Sequence, residues 1–428
     1  MKRSTSVVLS IFAVLFALAG SGAAAAAVTS GEYLDLVAAG NPELAASAAR
    51  VEAFYRLVDV AIASTRPSLG FEAVSGRVLR EGEGESTLSL NLGKRLDLWG
   101  LDELSVRRAE LAARIQEARL GELAASLFRE AETAYWNASA ARSAVSLYAF
   151  LLAQREEDLR FSRLRFEQGT AAKLDVFRAE VQVEKTRAAK TEAEAGFRDF
   201  LSQMARLAGG EAVEPSEEPV LFEPGPDPDF EAAWKSRPDA RRVELEKESA
   251  SVETRIASLG MHPAVEASLG STLLSDSDTV IPPESDLLLS VRVEVPLYDG
   301  GRTRADKASK RLLEKASEFD EKTLRALIAT ELDLAASRLE KARALEKSRK
   351  KEAALASEEL RITRLRYRTG VGSQLELLDA QVREQAARTA HLDALREMAL
   401  ARAQLSYALG RYSFPFAGKR GNDPERTK

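Results

Sequence analysis

The chain has no cysteine and only two histidines in 428 residues. Without cysteine there can be no disulfide, no thiolate metal site and no cysteine nucleophile. The two histidines, His262 and His391, stand alone. No His-Glu-x-x-His, Gly-x-Ser-x-Gly or phosphate-loop pattern occurs, so nothing points to catalysis, a metal or a cofactor. A net charge of −5 provides no basic surface, and no nucleic-acid partner is expected. Aromatic residues make up only 6% of the chain, and the apolar share is largely alanine. That composition, rich in Ala, Leu, Glu, Arg and Lys, suits long close-packed helices better than a mixed globular core.

Helix breakers are missing from two long stretches. Between Leu101 and Gln168 there is no proline and one glycine, Gly121, and between Arg302 and Thr369 there is neither. Each stretch has 68 residues, enough for a rod of about 100 Å at 1.5 Å per residue. Ile328, Leu332, Ala335, Leu339 and Ala342 recur at steps of four and three, the seam of a coiled coil. Charges between the seam positions, as in "SRLEKARALEKSRKK", read as solvated faces.

The N-terminus "MKRSTSVVLSIFAVLFALAGSGAAAAAVTS" has two basic residues, a short apolar run and a small-residue tract ending near Ala27. This is the order of a secretory signal peptide (residues 1–27), and its apolar run is too short to span a bilayer. The mature chain is expected to begin near Val28, with no cysteine there to carry a lipid. Beyond that point no apolar run reaches the length of a membrane helix, so any insertion into lipid must use strands.

What the chain does contain is a repeat. "RFEQGTAAKLDVFRAEVQ" from Arg165 returns as "RYRTGVGSQLELLDAQVR" from Arg366 at a constant offset of 201 residues, and Gly209 falls on Gly410 at that same offset. Such self-similarity makes the fold two copies of one unit. Each rod should stop at a glycine elbow, Gly169 or Gly370, and a helix of about 40 residues should return to Gly209 or Gly410. Ser373 and Glu376 have capping-box spacing, marking the second return. Shorter helices over 32–64 and 230–259 complete each half, with "NPEL" at Asn41 answered by "RPDA" at Arg237.

Ahead of each rod the periodicity changes to two. Leu289, Val291, Val293 and Val295 alternate with Ser290, Arg292 and Glu294, while Leu88, Leu90 and Leu92 alternate with Ser89, Asn91 and Gly93. Fainter strands follow Pro67 and Pro263, giving strand pairs over 67–99 and 263–298. Their lengths suit tilted membrane strands, and Trp99 and Tyr298 stand where an aromatic girdle would lie. A soluble antiparallel sheet with one wet face uses the same alternation. Four strands cannot enclose a lumen, however, and open edges are not viable in lipid, so membrane strands would require several chains to share one barrel.

The doubled "R-[FY]-x-x-G-x-x-x-x-L-[DE]" elbow, the "PLYDGGR" junction at Pro296 to Arg302, the strand pairs and the alanine-rich rods resemble the outer-membrane efflux protein family, the TolC-like exit ducts of Gram-negative bacteria. The resemblance runs from about Gly31 to Arg411. It implies a mainly α fold with a small β part: two tandem repeats (28–208 and 232–412), each a long coiled-coil helical hairpin with a membrane β-hairpin. Three chains would build a homotrimer with a 12-stranded β-barrel continued by an α-helical periplasmic tunnel. The implied partners are outer-membrane lipid, a periplasmic adaptor that meets the elbows, and an inner-membrane pump or ABC exporter. The duct would be a passive conduit, gated at its periplasmic tip.

Carried over by position, Gly169, Thr170, Gly370 and Val371 would form the adaptor-docking tip. Tyr367 and Asp175 fall where the family holds the entrance shut by an inter-hairpin hydrogen bond, and Glu376 and Asp379 fall where acidic residues ring the constriction. Local roles compete at two of these positions: capping accounts equally for Glu376, and the helix macrodipole for Asp175. Asp379 has no local role of that kind. The basic residue that some members carry two positions after the second glycine is replaced by Gly372, and "LDLWGLDE" lacks the proline and double glycine of the second junction. A soluble periplasmic coiled-coil adaptor would share the signal peptide and rods, but would not need strand pairs at matching points of two repeats. The acidic, proline-rich connector 209–231 and the tail 413–428 complete the expected layout.

Overall fold

The computed structural model describes residues 26–77, 84–218, 229–276 and 287–414. Most of the expected signal peptide, the centres of the two strand-joining turns, residues 219–228 of the connector and the tail beyond Phe414 lie outside the described residues.

The repeat is exact in the long elements. Rods α3 (Leu101–Glu167) and α7 (Arg302–Arg368) each have 67 residues, and returns α4 (Lys173–Leu207) and α8 (Gln374–Ala408) each have 35. All four boundaries obey the 201-residue offset. The five seam residues from Ile328 to Ala342 are all buried.

The shorter helices differ from expectation, because each is two helices. Helix α1 (Ser30–Gly40) is followed by α2 (Pro42–Ser64), and α5 (Phe230–Ser236) by α6 (Pro238–Ser258). The break comes before a proline in both, since Pro fits the first helical position and drives its predecessor out of the helical region. Asn41 and Arg237 are accordingly extended. Their side chains make the same contact: Asn41 Nδ2 donates to the Leu207 carbonyl at 3.1 Å, and Arg237 Nη1 to the Ala408 carbonyl at 3.2 Å.

Strands β2 (Ser68–Arg77), β3 (Gly84–Leu96), β5 (Ala264–Asp276) and β6 (Leu287–Glu294) form one antiparallel sheet in the order β2-β3-β5-β6. Register places Leu69, Leu92, Leu269 and Leu289 on one face, with Arg95, Glu266 and Arg292 on the other. All eight residues of β6 are exposed, so neither face of that strand is packed on a core among the described residues. The soluble-sheet alternative requires one packed face.

Both strand-to-rod junctions are capped by an aspartate. Asp97 accepts from the Leu101 and Asp102 amides, and Asp299 from those of Gly301 and Thr303. The first junction therefore starts its rod in register without the second junction's proline and double glycine. Trp99 Nε1 donates to the Pro263 carbonyl at 2.8 Å, with His262 edge-on to the indole. The acidic, proline-rich connector contributes strand β4 (Val213–Pro215), parallel to β1 (Ala26–Val28).

The chain divides into two compact units that do not coincide with the repeats. One takes Met1–Pro42, Ser126–Asp227 and Asp333–Tyr407 as far as these are described; the other takes Glu43–Ala125, Pro228–Leu332 and Ala408 onward. The sheet belongs to the second unit, where Leu111, Ile115 and Ala118 of α3 pack on Leu245 and Val252 of α6. Both elbows belong to the first.

A candidate gate at the two helical elbows

Each elbow is a left-handed glycine stop. Gly169 has φ +71° and Gly370 φ +78°. In the first, the Thr170 amide donates to the Arg165 carbonyl and the Gly169 amide to that of Phe166; in the second, Val371 and Gly370 repeat this on Arg366 and Tyr367. This is the Schellman arrangement, which satisfies orphan carbonyls at a helix end and favours glycine at the turn. Gly372 is also constrained. A Cβ there would stand 3.1 Å from Arg366 Cβ and the Tyr367 amide, so the family's basic side chain could enter only if the second elbow gave way slightly.

Below the elbows the hairpin cores repeat. Leu159, Val176, Ala179 and Val183 cluster in the first, and Leu360, Leu377 and Ala380 at the matching positions of the second. The position matching Val183 is Glu384, which is almost fully buried and paired to Arg388 at 2.8 Å.

The two hairpins meet through polar groups. Asp158 of α3 accepts from Gln381 Nε2 at 2.7 Å and from Arg364 Nη2 at 3.2 Å. Arg155 Nη2 donates to the Gln381 carbonyl at 3.1 Å, leaving its Nη1 unpartnered. Burial raises the Asp158 carboxyl above the usual aspartate range, opposed by the Arg364 and Arg155 charges. Burial also pulls the Arg155 guanidinium down to about 10. Closer to the elbows, Tyr367 is buried with its hydroxyl 3.3 Å from Ser162 Oγ and its ring edge-on to Phe161. Arg165 lies over that ring and donates to the Tyr367 carbonyl at 3.3 Å, so the first elbow caps the rod that ends in the second.

The residues singled out from sequence occupy distinct settings. Asp175 accepts from the Ala172 amide at 3.4 Å and pairs with Arg178, while its backbone carbonyl takes Gln374 Nε2 at 2.6 Å. Within the chain Tyr367 is thus bonded to Ser162 rather than to Asp175, whose carboxylate serves its own helix start. Ser373 Oγ accepts from the Glu376 amide, forming half a capping box, and the Glu376 carboxylate lies 3.7 Å from Arg366. Asp379 is exposed, and its charge acts on Arg383 of the same helix. Thr170 and Val371 are exposed beside their glycines. Sequence reasoning missed Arg155, Asp158, Arg364, Gln381 and Glu384, none of which stands in a motif that the sequence singles out.

The outer membrane efflux protein family matches residues 33–210 and 230–411. Nodulation protein T of Rhizobium leguminosarum bv. trifolii is 26% identical over 402 residues, covering 88% of this chain and 84% of the relative. Protein CyaE of Bordetella pertussis is 28% identical over 409 residues, covering 89% and 84%. Among solved structures, the open state of the Neisseria gonorrhoeae MtrE outer membrane channel superposes with a TM-score of 0.79 at 20% identity, covering 91% of this chain and 93% of that one. The match across both repeats, with rods, elbows and sheet in the same order, shows that the chain belongs to the outer membrane efflux protein family and is an outer-membrane channel extending into the periplasm.

Proposed function

We propose that the chain is one third of a homotrimeric exit duct, a passive conduit that opens and closes at its elbows. The sheet carries this reading: among the described residues the apolar face of β6 has no cover, and the outer edges of β2 and β6 have no partner. Joining β6 of one copy to β2 of the next removes every edge, and three copies of four strands make the 12-stranded barrel that lipid permits. A periplasmic adaptor docks on the tip formed by Gly169, Thr170, Gly370 and Val371, and an inner-membrane pump or ABC exporter supplies the energy.

Asp379 and Glu376 supply the charge of the constriction. Three exposed Asp379 carboxylates would favour cations and resist close packing of the closed state. The test is conductance in planar bilayers: Asp379→Ala, alone and with Glu376→Ala, should raise conductance and weaken cation selectivity. If both variants match the native channel in both respects, these carboxylates are not part of the gate.

A further inference from the structure

Within the first unit, between α3 of one hairpin and α7 and α8 of the other, lies a cavity of about 440 Å³. Its polar lining is Lys350, Arg388 and His391 with the hydroxyls of Ser143 and Ser357, and among the described residues that line it there is no carboxylate. Leu147, Ala353 and Leu392 supply apolar lining that is buried or half-buried.

Two of the three basic groups are fixed from behind. Arg388 pairs with Glu384 at 2.8 Å and donates to Ser357 Oγ at 3.3 Å, while His391 Nε2 lies 3.2 Å from Glu346. Both carboxylates are buried beneath them and offset their charge. Lys350 is different. It is exposed, and it belongs to a stripe of Arg343, Lys347, Lys350 and Lys351, spaced i, i+4, i+7 and i+8 on one face of α7. Among the described residues none of these four forms an ion pair; the only lysine or arginine of 338–351 that does is Arg349, with Glu352.

That stretch holds seven basic residues and two acidic ones in a chain whose net charge is −5. The repeat shows that the fold does not require them. The matching stretch of α3, 137–150, lies in a rod of the same length and carries one basic residue, Arg142, and no acidic one. A concentration of one charge that only one of two equivalent rods carries, beside a cavity without carboxylates, calls for a ligand of the opposite sign.

We propose that the cavity binds a small organic anion, one carboxylate or sulfonate group on an apolar body. Its volume lies in the range of small-molecule sites, and a few convergent polar groups on an apolar lining are the make-up of such sites. The lysine stripe draws the anion in and repels cations, and Arg388 with the two hydroxyls donates to its oxygens. An occupant touches both hairpins, so its binding free energy opposes their separation. This goes beyond the duct reading and does not depend on how many chains build the duct.

Naphthalene-2-sulfonate serves as the probe, titrated calorimetrically into full-length protein in detergent, with the heat of empty micelles subtracted. Native protein should bind one equivalent per chain, and Lys350→Glu should weaken binding about tenfold, the scale of reversing one charge beside a partly exposed anion. Ala354→Trp, which fills the cavity from an exposed position on its lining, should abolish binding. Lys341→Glu is the control. Nine residues from Lys350 it stands on the opposite side of α7, and that variant should keep native affinity. Uncharged 2-naphthalenemethanol should bind weakly, and alike to native and Lys350→Glu protein. Equal affinity of native, Lys350→Glu and Ala354→Trp protein for the sulfonate overturns the proposal, and so does an equal loss in Lys341→Glu. Inorganic phosphate binding as tightly as the sulfonate also overturns it, since charge alone would then suffice.

Discussion

Buried ionisable residues between the hairpins are the most informative single positions. An aspartate whose carboxyl is raised by burial binds its proton more tightly in the folded chain than in the unfolded one. Its contribution to stability is thus fully present below the ordinary aspartate value and is lost as pH rises through the raised value. Relative to Asp158→Asn, the native chain should lose thermal stability as pH rises from about 4 towards neutrality. Circular dichroism melts of both proteins across that range provide the check; a difference that does not change with pH would refute it. Arg155, although pulled down to about 10, stays charged over that range and adds no slope of its own. Some of this was legible. Extending the seam beyond Ala342 by the same steps of four and three reaches Glu346, Ala353, Leu360 and Tyr367, which are buried, and between them Arg349, Ala356 and Thr363, which are half-buried. The sequence does not show which partner each seam residue meets, because Asp158 and Gln381 are 223 residues apart.

At the scale of elements, the elbows and rods were readable because their signals are local: absence of breakers, a glycine stop and a repeated spacing. The left-handed conformation of Gly370 makes the elbow testable alone. Gly370→Ala should cost about 1 kcal/mol, since a Cβ is disfavoured at positive φ. Denaturant unfolding of native and variant protein measures it, and an unchanged midpoint would mean the turn adopts another conformation. The split of the short helices was visible as "NPEL" and "RPDA", but the amphipathic pattern runs across the break and hides it. Strand β4 was hidden for a different reason, since three residues are too few to show a period.

For the molecule as a whole, the sheet distinguishes a membrane protein from a water-soluble one. On the barrel reading the face carrying Leu289, Val291 and Val293 meets lipid, and the face carrying Arg292 and Glu266 lines the lumen. Val291→Arg should then cost about 2–4 kcal/mol near the bilayer midplane and deplete the assembled form, while Arg292→Gln is tolerated. The yield of detergent-extracted oligomer from outer membranes compares the two; equal yields would place both faces in water. One further consequence lies in the rods, which have equal residue counts and elbows at the same count from their starts. A deletion of one heptad in α3 alone would leave one elbow short of the other by about 10 Å, so the two halves of the gene are bound to lengthen or shorten together.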